Sequence, residues 1–252
     1  MQDLNRIFSN IPIYWINLKD SKERFVKMTE QVKNYKNLRI NAIDGRNKIN
    51  FKKYQIKFKA TIATNPVIAV ICSHIKAIKT AYDNLEKMVV ILEDDANFDL
   101  IKFYPHTINE IIQKTNNDWD IIQLYNGNTS LLNLILDDYK TNGLRVFKRD
   151  KNYSGTCYLI NRIGMKKILN LIKTDGDKYF DLTKIIFRDP EDLIFNNLKS
   201  YILNCPFLYY YNQDTTVGLH NSNESMINIK KRIKIHQKSY LILKRFFKEN
   251  FV

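Results

Sequence analysis

The sequence predicts an α/β domain, because short β-rich runs alternate along the chain with segments of helical period. Its 252 residues suffice for one large domain or at most two, and 44% apolar content indicates a folded globular chain. Two polar, Gly-bearing stretches, 126–128 and 137–143, are predicted to be loops. The candidate strands are 11–18, 38–43, 88–93, 119–124, 156–160 and 201–208.

Three helices are predicted between these strands. Apolar residues recur at helical spacing over 25–35, behind Asp20 and Glu23, which have the spacing of an N-terminal capping pair. A second helix is expected to begin at Ser73, as the N-cap after an apolar strand. A third is expected to follow Asn161.

The formal net charge of +14 is unevenly distributed. Residues 230–252 carry eight Lys or Arg and one acid, Glu249. We therefore expect a folded domain over 1–229 and a basic amphipathic tail over 230–252. The apolar residues of the tail suit either peripheral contact with anionic lipid or packing on its own domain. Because no nucleic-acid-binding motif accompanies the charge, the sequence argues against a nucleic-acid partner.

The three cysteines lie in apolar runs without CxxC spacing, which predicts buried free thiols in a reducing compartment. They are Cys72, Cys157 and Cys205. The N-terminus lacks the pattern of a signal peptide, and no apolar run approaches 18 residues. These observations predict a cytoplasmic protein.

Three consecutive carboxylates, Glu93, Asp94 and Asp95, follow an apolar run of five residues. A buried strand cannot continue into unpaired acids, so they are expected at its carboxyl end, where open α/β sheets bind ligands. In extended backbone Glu93 and Asp95 would share one face and Asp94 would take the other. Hard oxygen donors suit Mn²⁺ or Mg²⁺, although a simple turn would also explain the acids.

Six segments, in this order along the chain, resemble glycosyltransferase family 25, which includes bacterial lipooligosaccharide and procollagen galactosyltransferases. The resemblance implies a GT-A-like nucleotide-sugar-binding fold with a mixed, mostly parallel sheet flanked by helices. The segments are IYWINLKDSKERF, INAIDGR, VICSHIKAIKTA, VVILEDDANF, GTCYLINRIGMKKIL and PEDLIFNNL, with a seventh at LNCPFLYYYNQDTTVGLHNS.

The resemblance also implies a function. It is metal-dependent transfer of a hexose, galactose or glucose, from a UDP-sugar to a hydroxyl of a glycan, glycolipid or peptide acceptor, with inversion. The alternative is a relative that has lost catalysis and binds a glycan or a protein partner.

By the same resemblance, Mn²⁺ or Mg²⁺ would be held by Glu93 and Asp95, with His220 as a further ligand. Four donor-site candidates also have an ordinary structural explanation: Arg24 as a solvated helix residue, Asp44 as a turn residue, His74 as a packed, hydrogen-bonded histidine, and Gly155 as a turn glycine. The candidates for contact with the UDP-sugar are Asn17, Leu18, Ser21, Arg24, Asp44, His74, Glu93, Asp94, Gly155 and Thr156.

An inverting transfer needs a base near the attacking hydroxyl. The segment RDPEDLIFNNL offers Asp189, Glu191 and Asp192, and the resemblance favours Asp192. The same residues also make an ordinary helix start, with Asp189 as N-cap and acids in the first turn. Asp120 and Asp214 are the other candidates for the base.

Overall fold

The computed structural model describes residues 4–59, 63–125, 131–149, 155–206, 209–210 and 226–251. Helices and strands alternate through most of these residues. The helices are α1 Leu4–Phe8, α2 Lys22–Val32, α3 Lys48–Lys53, α4 Asn65–Asp83, α5 Ile108–Lys114, α6 Leu132–Asn142, α7 Arg162–Leu171, α8 Pro190–Ile194 and α9 Met226–Phe251. The strands are β1 Ile13–Asn17, β2 Asn37–Asn41, β3 Ile56–Lys57, β4 Met88–Glu93, β5 Ala96–Asn97, β6 Ile121–Gln123, β7 Val146–Lys148, β8 Cys157–Asn161, β9 Lys173–Thr174, β10 Phe180–Asp181, β11 Ser200–Leu203 and β12 Tyr209–Tyr210.

A mixed sheet of seven strands forms the centre of the protein, in the order β2-β1-β4-β8-β6-β11-β7. Strand β1 pairs in parallel with β2 and β4, β11 pairs in parallel with β6, and β8 runs antiparallel between β4 and β6. Five strands therefore run one way, and only β8 and β7 run the other way. The predicted α/β class is confirmed, and the architecture is consistent with a GT-A-like fold.

Both faces of the sheet are covered, which explains why its central strand is continuously apolar. Val90 and Leu92 of β4 pack into a core formed with α1, α2, α5, α6 and the last turns of α9. Val89 and Ile91, on the other face, pack with α4, α7 and α8. This arrangement leaves the ends of the strands as the accessible part of the sheet.

The predicted strands all occur, with β4 at its predicted bounds and the others shifted by one or more residues at their ends. The helix after Asn161 is confirmed, since the Asn161 side chain accepts a hydrogen bond from the Gly164 N–H at 2.8 Å. The capping pair predicted at Asp20 and Glu23 is wrong, because Ser21 occupies the N-cap position and makes no side-chain cap bond.

The predicted start of the second helix at Ser73 is also wrong. Helix α4 begins at Asn65, eight residues earlier, with Pro66 in its first turn. Ser73 lies mid-helix, where its Oγ donates to the Ala69 carbonyl at 2.7 Å and accepts from the Ile43 N–H at 2.9 Å. The apolar run before Ser73 is thus a buried helix, which short-range periodicity cannot distinguish from a buried strand.

The loop predicted at 137–143 is a helix as far as Asn142. Leu136 and Tyr139 are buried and anchor α6 to the core. Gly143 then ends the helix with a positive φ of 69°, a conformation that favours glycine. The other predicted loop, 126–128, lies outside the described residues.

Helix α9 includes most of the basic tail and packs on the domain through one face. Leu243, Phe246 and Phe247 are at most 5% exposed and belong to the core beneath the sheet. The domain boundary predicted at residue 230 stays a prediction, but these three residues are part of the core. Within the described ranges, no helix is both long enough and apolar enough to cross a membrane.

The three cysteines are free and buried, as predicted. Burial raises the pKa of each thiol well above its ordinary value. They are Cys72, Cys157 and Cys205.

Candidate functional site

A pocket of about 230 Å³ opens where the parallel strands end. Strands β1, β2 and β4 end at Asn17, Asn41 and Glu93, and antiparallel β8 begins at the same edge, with Cys157 opposite Leu92. The pocket is lined by Ile16, Leu18, Arg24, Ala42, Ile43, Asp44, Gly45, Arg46, Pro66, Val70, Ser73, His74, Glu93, Asp94, Asp95 and Thr156.

All three acids of the triplet line this pocket. The expectation that Asp94 would face away from Glu93 and Asp95 is wrong. Strand β4 ends at Glu93, and the next two residues form a turn, so the alternation of extended backbone does not continue. The turn therefore brings three carboxylates together at the edge of the sheet.

Asp94 is held by two neighbours. Its Oδ1 lies 2.9 Å from Nη1 of Arg24, and its Oδ2 accepts a hydrogen bond from Nδ2 of Asn17 at 2.6 Å. Arg24 also donates to Oγ of Ser21 at 3.3 Å. Burial raises the pKa of Asp94, while the Arg24 charge and the Asn17 hydrogen bond oppose that rise. Both oxygens of Asp94 are therefore engaged within the protein.

Glu93 is positioned by a histidine from the helix beneath the pocket. Its Oε1 lies 3.2 Å from Nε2 of His74, and Nδ1 of His74 lies 3.0 Å from the Tyr158 hydroxyl. His74 is fully buried, whereas the Glu93 side chain is 32% exposed. The fixed imidazole orients one oxygen of Glu93 and leaves the carboxylate accessible from the pocket.

Asp95 differs from the other two acids. Its Oδ1 is buried and has no hydrogen-bond partner among the described residues. Burial, followed by the charges of Glu93 and Asp94, raises its pKa well above the ordinary value. An unpartnered buried oxygen costs free energy unless a ligand satisfies it, so Asp95 is suited to hold a cation.

The described residues contain no group of three or more His, Cys, Asp or Glu side chains arranged as a metal site. Mn²⁺ and Mg²⁺ need only one or two protein carboxylates when diphosphate and water complete their coordination. The accessible Glu93 and the unpartnered Asp95 fit that requirement. The predicted third ligand, His220, lies outside the described residues, as does Asp214.

The β2 end of the pocket combines apolar walls with an ion pair. Arg46 donates to both carboxylate oxygens of Asp44, at 2.8 and 2.7 Å. Gly45, between them, lies so close to α4 that an added Cβ would stand 2.5 Å from the Asn65 carbonyl oxygen. The sequence predicted Asp44 here but missed Arg46, although it stands in the same AIDGR segment. Also missed were Ile16, Ala42, Ile43, Gly45, Pro66, Val70 and Ser73, the last of which was predicted only as an N-cap.

At the β8 end, Thr156 lines the pocket and Gly155 lies beside it. A Cβ on Gly155 would stand 3.7 Å from Oε1 of Glu93, and the Gly155 N–H donates to Oε1 of Glu191 at 3.0 Å. Asp192 is not among the pocket residues; its carboxylate accepts hydrogen bonds from Arg188 and Asn196.

Of the other candidates, Asp120 is buried and paired with Lys167 at 2.6 Å, away from the pocket lining. Eight of the residues predicted to contact the donor or the metal line the pocket, and their contact with a ligand stays a prediction. They are Leu18, Arg24, Asp44, His74, Glu93, Asp94, Asp95 and Thr156. Asn17 donates a hydrogen bond to Asp94, and Ser21 accepts one from Arg24, so these two residues position the ion pair between Arg24 and Asp94.

The family model described as glycosyltransferase family 25 (LPS biosynthesis protein) matches residues 10–179, about two thirds of the chain. The chain belongs to glycosyltransferase family 25. The matched region contains strands β1, β2, β4 and β8, around whose ends the pocket lies, but not the segment around Glu191. No curated protein matches the chain significantly.

Proposed function

We propose that this family 25 member transfers a hexose from a UDP-sugar to a hydroxyl group, with a divalent cation at the acidic triplet. The observation that carries the proposal is the unpartnered oxygen of Asp95 in a pocket at the carboxyl edge of the sheet. Family membership gives the glycosyltransferase activity. The donor, the metal and the inversion are our inference from this pocket.

The pocket offers different chemistry along the edge of the sheet. Ala42, Ile43, Pro66 and Val70 provide apolar contacts for a nucleoside at the β2 end. Glu93 and Asp95 would hold Mn²⁺ or Mg²⁺ in the middle, and the bound cation would neutralise the charge that develops on the departing diphosphate. Arg24 forms an ion pair with Asp94 and in this way stabilises the acidic turn.

Titration calorimetry of UDP, with Mn²⁺ and with EDTA, tests the donor site. We expect metal-dependent binding that Asp95→Asn abolishes. Asp137→Asn, an exposed aspartate on α6, is the matched control and should bind as the wild type does. UDP release from UDP-galactose and UDP-glucose then tests catalysis. Metal-dependent binding without turnover of any UDP-hexose, over a broad acceptor panel, would instead support a binding protein that has lost catalysis.

We also propose that α9 lies on an anionic membrane surface, where a glycolipid acceptor would be found, at the predicted cytoplasmic location. Its buried face holds the core residues, while Lys234, Lys238 and Lys248 are exposed on the outside together with Leu241, which is 62% exposed. Each cation near an anionic surface contributes about 1 kcal/mol.

Co-sedimentation with phosphatidylglycerol vesicles tests this contact. Lys238→Glu with Lys248→Glu should reduce binding, and added salt should do the same. Lys166→Glu with Lys173→Glu makes the same charge change on exposed residues elsewhere and is the control. Equal loss in both double variants would show that only net charge matters and would contradict a membrane role for α9.

A further inference from the structure

The acids of α8 take different positions although they are neighbours in sequence. Asp189 caps the helix by accepting from the Asp192 N–H at 2.8 Å. The Asp192 carboxylate lies 3.2 Å from Nε of Arg188 and accepts from Asn196 at 3.1 Å. Glu191 points instead across 36 residues of sequence to the Gly155 N–H. Among these three acids, only Glu191 has a described contact with a residue beside the pocket.

Gly155 connects Glu191 with the acidic triplet. One side of Gly155 contacts Glu191 through its N–H, and its missing side chain would contact Glu93 and His74 at 3.7–3.8 Å. Glu191 and Glu93 are thus both neighbours of Gly155. Glu191 is not itself a lining residue, but through Gly155 it lies next to the β8 end of the pocket.

The order of the strands gives the direction of the bound donor. Along the edge, the 42–46 segment after β2 comes first, then the end of β1, then the triplet after β4, then Gly155 and Thr156 before β8. With the nucleoside against the apolar residues at the β2 end and the diphosphate at the triplet, the sugar would extend towards Gly155. Its anomeric carbon would then face the end of the pocket next to which Glu191 lies.

We propose that Glu191 is the base that activates the acceptor; this inference rests on the proposed function. The acceptor oxygen forms a bond to the anomeric carbon while the bond from that carbon to the diphosphate oxygen breaks. The bonding electron pair leaves with UDP, and the hydroxyl proton passes to the Glu191 carboxylate, which later releases it to water. The Gly155 N–H holds that carboxylate in place during the transfer.

The environment of Glu191 suits this role. Burial, together with the charges of Asp189 and Glu93, raises the pKa of Glu191 to about 7. A carboxylate that takes up a proton near neutral pH is a stronger base than an exposed glutamate.

The Glu191→Gln variant distinguishes a catalytic base from a residue that only makes a structural hydrogen bond. Glutamine keeps an oxygen that can accept from the Gly155 N–H, but it cannot take up the proton. With UDP-galactose or UDP-glucose, Mn²⁺ and water as acceptor, we expect kcat for UDP release to fall by about 100-fold or more. UDP affinity should stay within about twofold of wild type. Formate should partly restore the rate of Glu191→Ala, and Glu30→Gln, an exposed control, should keep the wild-type rate.

The outcomes are distinct. A Glu191→Gln rate within about threefold of wild type would overturn the proposal, as would a large loss in Asp192→Asn with none in Glu191→Gln. Wild-type protein that binds UDP with Mn²⁺ but hydrolyses neither donor would also contradict it, because a base at this place should activate water. If wild-type protein neither binds UDP nor releases it, the proposed function itself fails and the role of Glu191 fails with it.

Discussion

Replacing Gly45 by alanine should weaken both the fold and the donor site. The added Cβ would stand 2.5 Å from the Asn65 carbonyl oxygen, 2.6 Å from Cα of Pro66 and 2.8 Å from Cβ of Ala69, whereas ordinary contacts lie at 3.4–4 Å. The segment must therefore move about 1 Å away from α4. Overpacking of this kind costs about 1–3 kcal/mol. For a chain of this size that lowers Tm by about 2–12 °C, since each kcal/mol shifts Tm by about 2–4 °C.

The same displacement moves Asp44 and Arg46, which line the pocket on either side of Gly45. We expect UDP affinity to fall about tenfold, equivalent to about 1.4 kcal/mol. Gly164→Ala is the matched control, because its Cβ would stand 2.6 Å from the Asp120 carbonyl oxygen, remote from the pocket lining. It should lower Tm without changing UDP affinity.

Differential scanning fluorimetry and calorimetry at 15 °C, where both variants stay folded, measure the two effects. Unchanged Tm and affinity in Gly45→Ala would refute the reasoning about close packing. An equal loss of affinity in both variants would show that general destabilisation, rather than the 44–46 segment, controls binding.

Three further predictions concern single side chains. Asp95→Asn should leave the free energy of unfolding unchanged or raise it by about 1 kcal/mol, because it removes the negative charge of a carboxylate that has an unpartnered buried oxygen. Metal-dependent UDP binding should be lost. A clear fall in Tm would contradict this prediction. Burial lowers the pKa of His106, near Glu110 and Lys114, so its contribution to stability is present above pH 6.5 and lost as pH falls below it. Urea melts of His106→Gln should show a weaker pH dependence there. An Ellman assay at pH 8 should detect no thiol before denaturation and three after it, at Cys72, Cys157 and Cys205.

The central strand and its acids could be predicted because their signal is local. An apolar run that ends in three carboxylates fixes both the bounds of β4 and the edge at which Glu93 lies. Helix α4 could not be predicted in the same way, because its run before Ser73 is apolar on nearly every face. Pro66 and Val70 were missed for that reason, since they reach the pocket only from a helix.

The acids of α8 show a different limit. Glu191 and Asp192 both stand in the first turn of a short helix, and nothing in their spacing tells which of them lies beside the pocket. The structure shows a contact for Glu191, which accepts from the N–H of Gly155, a residue that lies just before β8 where that strand pairs with β4. Such a long-range contact has no signature in the local sequence.

Three adjacent carboxylates repel one another, so the protein must limit the free energy of placing them together. Asp94 is paired with Arg24 and Asn17, and Glu93 is oriented by His74 and partly exposed to water. Of the three acids, Asp95 is the one with a buried oxygen that lacks a partner among the described residues. If all three acids were neutralised by protein partners, the site would have no affinity for a cation. If none of them were neutralised, their repulsion would destabilise the turn that holds them. With one acid left unsatisfied, the turn stays stable and the site keeps its affinity for a cation. Substitution of Asp94 and substitution of Asp95 should therefore have different effects on folding and binding.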